Sequence, residues 1–124
     1  LGLSAVMIGA AMGARVVAVD PSAAARARAL ELGASAAVDS DGCRGGVWAA
    51  TGFGADVCVE CSGAARAVED ACYSARRGGR VVQAGLPLGD ERPEVPMARV
   101  AGWELEIFGS HGIALCGNQT VSQV

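Results

Sequence analysis

Helical and extended patterns alternate along this chain from one end toward the other, and that order restricts it to one fold class. From residue 3 to residue 12 apolar side chains occupy every face of a prospective helix, as expected of one buried between layers, and Gly13 is placed to end it. Residues 15–20 then read Arg-Val-Val-Ala-Val-Asp, a β-branched run suited to a strand covered on both faces. Ser22 can cap a second helix through Leu32, with Arg26, Arg28 and Glu31 toward water and Gly33 as terminator. A weak strand is expected at 35–39, a short late helix at 47–50 after Gly42, Gly45 and Gly46, and a strand at 55–60. A longer helix at 64–76 should stop at Gly78-Gly79. Strands at 80–84 and 105–109 complete the series, separated by a Gly85-Leu86-Pro87 loop and a short helix at 97–103. Such alternation calls for parallel strands joined by right-handed crossovers.

Composition narrows the choice further. A chain of 124 residues holds one hydrophobic core but no separate substrate domain. It is 52% hydrophobic yet only 4% aromatic, with 18 glycines, which suits small side chains between closely packed layers. A net charge of -3 and a pI near 5.0 argue against nucleic acid as a partner. Arg76, Arg77 and Arg80 do cluster, but beside a Gly-Gly turn they read as a solvated helix end. The longest uncharged stretch, residues 1–14, falls short of the about 20 residues that span a bilayer, and it has no secretory-signal pattern. No membrane partner is expected. The five cysteines form no regular framework, and Cys58 and Cys72 have apolar neighbours, so reduced core thiols and a cytoplasmic location are expected.

Asp20 carries the strongest local chemical signal. It ends the first visible strand, one helix downstream of Gly2. In a dinucleotide-binding fold a carboxylate there accepts hydrogen bonds from the adenosine ribose hydroxyls and repels a 2'-phosphate, which favours NAD over NADP. The plain alternative is a strand-end Asp that starts a turn with Pro21. Arg26 and Arg28 pull the other way, since a nearby guanidinium could receive a phosphate.

Leu1-Gly2-Leu3-Ser4-Ala5-Val6 resembles the end of the glycine fingerprint of zinc-dependent medium-chain alcohol dehydrogenases. The resemblance continues through Gly13-Ala14-Arg15-Val16-Val17-Ala18-Val19-Asp20, Leu30-Glu31-Leu32-Gly33-Ala34, Gly54-Ala55-Asp56-Val57, Glu60-Cys61-Ser62-Gly63, Gly78-Gly79-Arg80-Val81-Val82, Gly85-Leu86-Pro87 and Glu106-Ile107-Phe108-Gly109-Ser110. It implies a Rossmann-like doubly wound α/β sheet whose first strand and most of whose fingerprint lie outside this sequence. It also implies a partial NAD-binding domain over residues 1–112 and an atypical tail, foreign or disordered, over 113–124. By this resemblance Leu1 and Gly2 approach the pyrophosphate and Asp20 the ribose. Ser62, Gly63, Gly85 and Leu86 line the path to the nicotinamide, and the backbone of Phe108 helps hold its amide group; the Phe108 side chain reads simply as core. The basic residue that the family places in the helix after the Asp would fall at Ala25, with Arg26 adjacent.

The same resemblance implies hydride transfer between an alcohol or polyol and NAD in a homo-oligomeric whole enzyme, with a zinc ion held by a domain outside this sequence. No metal ligand and no catalytic residue are expected in this chain. Cys58-x-x-Cys61 has no second pair, its members fall on opposite faces of a strand, and His111 is the single histidine. No Gly-x-Ser-x-Gly elbow supports a hydrolase. Three alternatives stay open: a zinc-free quinone-reductase-like relative, an S-adenosylmethionine-dependent methyltransferase and a piece without function. If the central strand is missing, its two neighbours should pair directly, leave the chain marginal, or need another chain.

Overall fold

The computed structural model describes residues 1–111; the tail expected at 113–124 lies outside them. The elements follow the expected alternation: α1 Gly2–Ala11, β1 Val17–Val19, α2 Ala23–Glu31, β2 Ala36–Val38, α3 Cys43–Thr51, β3 Ala55–Glu60, α4 Ala67–Ser74, β4 Ala75–Gln83, α5 Met97–Gly102 and β5 Glu106–Gly109. Every strand pairing is parallel, so the α/β class expected from the alternation is the one seen.

The strands form two sheets rather than one. β1 pairs with β2, while β3, β4 and β5 form a second sheet in that order. The direct pairing of β1 with β3 that sequence reasoning allowed does not occur. α1 approaches the surroundings of β3 at its start and of β1 near its end. A Cβ at Gly2 would stand 3.8 Å from that of Cys61, beyond the end of β3, and one at Gly9 would stand 3.0 Å from the Val16 side chain, just before β1. Val19 is 43% exposed, and Val57 and Val59 are each 49% exposed.

Each sheet has its own core. Val6, Ala29 and Ala34 pack with Val16, Ala18 and Leu32 against the first. Val68, Cys72, Ala75, Val81 and Leu105, joined by Cys58 and Trp103, fill the second. α1 departs from the expected burial on all faces: Val6 is its one buried residue, and Met7 and Ile8 stand open. A single face of α1 meets neighbouring structure, so its apolar pattern exceeds what the two sheets cover.

Three boundaries differ for tertiary reasons. α3 begins at Cys43, not at 47, and runs through Gly45-Gly46. A Cβ at Gly46 would lie 2.9 Å from Val38 Cγ1, so the glycine that weakens the helix also lets it seat on β2. Arg44 further anchors that first turn through Asp70 at 2.6 Å and Glu69 at 3.1 Å. α4 is shorter than expected at both ends, and residues 75–79, read as helix end and turn, belong to β4. Ala75 is fully buried opposite Ala55, and an irregularity in the β3–β4 register absorbs the Gly-Gly pair. The arginine cluster is therefore not a solvated helix end. Arg76 pairs with Asp56, Arg80 pairs with Glu106, and Arg77 lies over the Trp103 ring at 4.5 Å.

Candidate functional site

Parallel strands deliver their carboxyl ends to one edge, and α1 points its first turn at that same edge because its start meets the exit of β3 and its end the entry of β1. Residue by residue, this edge collects most of the positions singled out in the sequence.

Asp20 follows β1 directly and is half-buried. Its backbone N–H donates to the Val38 carbonyl at 3.2 Å, which continues the β1–β2 ladder and sets Asp20 beside Asp39 at the end of β2. The Asp20 Oδ1 accepts the Ser22 N–H at 2.8 Å, while Oδ2 takes no hydrogen bond from the described residues. The turn thus orients the carboxylate and leaves one oxygen free. Ser22 then caps α2, its hydroxyl accepting from the Ala25 N–H at 3.3 Å.

The arginines near this carboxylate are engaged. One Nη of Arg26 donates to the Asp20 carbonyl at 2.7 Å, the Pro21 carbonyl at 3.0 Å and Asp39 Oδ2 at 2.8 Å. Arg28 pairs outward with Glu31 at 2.7 Å, both well exposed.

On the second sheet a buried carboxylate organises two loops. Glu60, 5% exposed, ends β3. Its Oε1 accepts from the Ser62 N–H at 2.6 Å, the Ser62 hydroxyl at 2.5 Å and the Gly63 N–H at 3.1 Å. Its Oε2 accepts from Gln83 Nε2 at 2.5 Å, and the same amide nitrogen reaches the Gly85 carbonyl at 2.7 Å. The Glu60 carbonyl accepts the N–H groups of Ala84 and Gly85 at 2.8 and 2.9 Å. Sequence reasoning assigned Glu60 and Gln83 no part here. The one available signal was an acid closing a β-run before Ser-Gly.

These bonds draw the loop after β3 onto the loop after β4. Gly63 is buried with φ 73°, and any side chain there would run into the Leu86 backbone. A Cβ at Gly85 would lie 2.7 Å from Glu60 Oε2 and would also strike the Gly63 nitrogen. The edge is built of backbone in close approach, open to a flat or phosphate-bearing ligand in a way that side chains would prevent. α1 adds a first turn with no acidic residue and no side-chain cap, so its N–H groups are unclaimed by the helix's own end.

The structure therefore brings Gly2, Ser62, Gly63, Gly85 and Leu86 together around the β3 and β4 exits. Asp20 stands apart from them, on the first sheet. Leu1 is 74% exposed beside this edge, and Leu86 is also exposed. Phe108 lies opposite Val82 on β5, and its side chain is 48% exposed, which corrects the expectation that it is core. All four residues of β5 are exposed, and among the described residues it is an edge strand.

Cys58 packs against Cys72 and lies within electrostatic reach of Cys43. Burial, helped by the Cys72 and Cys43 thiols, pushes the Cys58 thiol up to about 12, and burial followed by Glu60 raises that of Cys61. Among the described residues no group of three or more His, Cys, Asp or Glu is arranged to hold a metal ion. A cleft lined by Trp48, Phe53, Arg77 and Trp103 lies at the amino-terminal end of β3, away from Asp20 and Glu60. Among the described residues no helix is long and apolar enough to cross a membrane.

Known proteins share this arrangement. The family model described as zinc-binding dehydrogenase matches residues 1–124. Geraniol dehydrogenase of Castellaniella defragrans is 43% identical over 94 residues, which cover 73% of this chain and 25% of that protein. An NAD-dependent alcohol dehydrogenase of known structure superposes with a TM-score of 0.79 at 34% identity, covering 88% of this chain and 32% of its own. A zinc-binding dehydrogenase of Sinorhizobium meliloti, solved bound to NADP, gives 0.75 at 31% identity over 87% of this chain and 33% of its own. The chain thus spans a quarter to a third of the length of these relatives, and the fold it shares with them is the Rossmann-like one.

Proposed function

Since the chain belongs to the zinc-binding dehydrogenase family, we propose that it is the dinucleotide-binding part of an NAD-dependent alcohol or polyol dehydrogenase. The observation that carries this reading is the Asp20 carboxylate, oriented through Oδ1 and free at Oδ2, at the carboxyl end of a parallel strand. Its free oxygen suits the ribose hydroxyls. The α1 first turn, starting at Gly2 beside Leu1, suits the pyrophosphate. Ser62, Gly63, Gly85 and Leu86 suit the path to the nicotinamide, and Phe108 borders its far end. When bound, the nicotinamide supplies hydride acceptance or donation; these residues hold and orient it. The domain proper is taken as 1–112.

Zinc, where the whole enzyme uses it, would be held by residues outside the described ones. A zinc-free quinone-reductase-like relative would differ in those residues alone. Family membership sets aside the methyltransferase reading.

Titrating the 124-residue chain with NADH and following cofactor fluorescence tests the proposal. A saturating enhancement is expected, and Asp20→Asn should weaken it by about tenfold or more, the scale of lost charge-assisted hydrogen bonds. No enhancement would overturn the reading and favour a piece without function. The chain by itself is expected to oxidise no alcohol; turnover by protein freed of host dehydrogenases would contradict that.

A further inference from the structure

Asp20 is the acidic group that a dinucleotide reading uses, but it is not the sole carboxylate at this edge. Asp39 ends the neighbouring strand, in register with Asp20 because Val19 pairs with Val38. Arg26 lies between the two. Its Nη1 donates to Asp39 Oδ2 at 2.8 Å and to the carbonyls of Asp20 and Pro21 at 2.7 and 3.0 Å. The side chain of Arg26 is 23% exposed and that of Asp39 is 47% exposed. Asp39 is itself fixed, its Oδ1 accepting the Asp41 N–H at 3.0 Å.

A guanidinium next to the ribose-binding carboxylate is the group that would receive a 2'-phosphate. Here that group is neutralised by a second acid and turned onto the backbone. We infer that Asp39 is a specificity-determining residue: by tying Arg26 down, it keeps the adenosine-ribose end of the site anionic and closed to a 2'-phosphorylated dinucleotide. The cost to NADP has two parts, a charge that repels the phosphate and a donor that is not free to bind it. Removing Asp39 lessens both at once, taking away one anion and the single side-chain acceptor of Arg26 while Asp20 and the two carbonyls remain. Asp39 itself need not touch the cofactor. This inference rests on the cofactor-binding reading above.

The test compares NADH and NADPH on the full chain by fluorescence titration. Asp39→Ala should lower the ratio of the NADPH to the NADH dissociation constant by about tenfold, the scale of one charge-assisted hydrogen bond regained. Asp39→Asn, which preserves shape and the turn to Asp41, should shift the ratio in the same direction by less. In an Arg26→Ala background Asp39→Ala should shift the ratio by less, through its charge alone. A general loosening of the fold weakens both cofactors and does not move their ratio in this way. NADH binding with an unchanged ratio in both Asp39 variants overturns this inference alone. So does tighter NADPH than NADH binding by the unaltered chain. A shift of equal size without Arg26 overturns the role given to that arginine. An unaltered chain that responds to neither cofactor overturns the binding reading, and this inference with it.

Discussion

Gln83 Nε2 donates to Glu60 Oε2 at 2.5 Å, and this bond joins the ends of two adjacent parallel strands at the point where their loops leave the sheet. The remaining oxygens of both residues show how asymmetric the junction is. Glu60 Oε1 takes three donors from its own loop, whereas Gln83 Oε1 is buried without a partner among the described residues. The carboxylate is the organising member, and the amide serves it.

Replacing Glu60 therefore separates acceptor number from shape. Glu60→Gln keeps one oxygen for the Ser62 and Gly63 N–H groups and should cost about 1.5 kcal/mol of stability. Glu60→Ala leaves the buried Gly63 N–H without its acceptor, together with the part-buried Ser62 donors, and should cost about 3 kcal/mol. Urea denaturation distinguishes them, and equal losses would show that the carboxylate's acceptors contribute little.

Gly63 is expected to tolerate no side chain. Gly63→Ala combines a left-handed backbone with a collision against the Leu86 backbone, so a loss of about 3 kcal/mol or more should appear in the denaturation midpoint. An unaltered midpoint would mean that the two loops are not in close approach.

Alkali should destabilise the protein through its thiols. The Cys58 thiol is raised from about 9 to about 12 by burial, so between these values the folded state holds a proton that the unfolded state releases. Stability is then unaffected by this group below pH 9 and declines as pH rises toward 12, by up to about 1.4 kcal/mol per pH unit. Cys58→Ala should flatten that decline in melts taken across the range. A slope identical to that of the unaltered chain would contradict the assigned cause.

Trp48 joins α3 to both α4 and the end of α5. Its ring meets Trp103 edge to face at 5.8 Å between centroids, and its Nε1–H donates to the Tyr73 carbonyl at 2.9 Å. Trp48→Phe should retain much of the packing and cost about 1 kcal/mol through the lost hydrogen bond. A double-mutant cycle of Trp48→Leu with Trp103→Leu should give a coupling of about 1 kcal/mol. Additive effects would indicate that the rings do not interact.

Much of the fold was legible because it is written locally. The β-branched run before Asp20, the Ser22 cap and the glycines that close helices each act within a few residues, and their succession implies parallel strands. Asp20 was legible for the same reason: an acid that ends such a run has few other places to stand. Glu60 and Gln83 were not, since their pairing joins residues on separate strands and neither has a distinctive neighbour.

By itself the sequence determined the order of helices and strands and the parallel class, since each follows from side-chain pattern over one or two turns. Tertiary structure alone decided that α3 runs through two glycines, that β4 starts at Ala75, that Phe108 is exposed, and that Arg26 pairs with Asp39. Each of those outcomes depends on what a residue meets, or does not meet, from elsewhere in the chain: Val38 beneath Gly46, Ala55 opposite Ala75, and for Arg26 a carboxylate one strand away. Local propensity differs by about 1 kcal/mol per residue at most for anything but proline, and such contacts readily outweigh it.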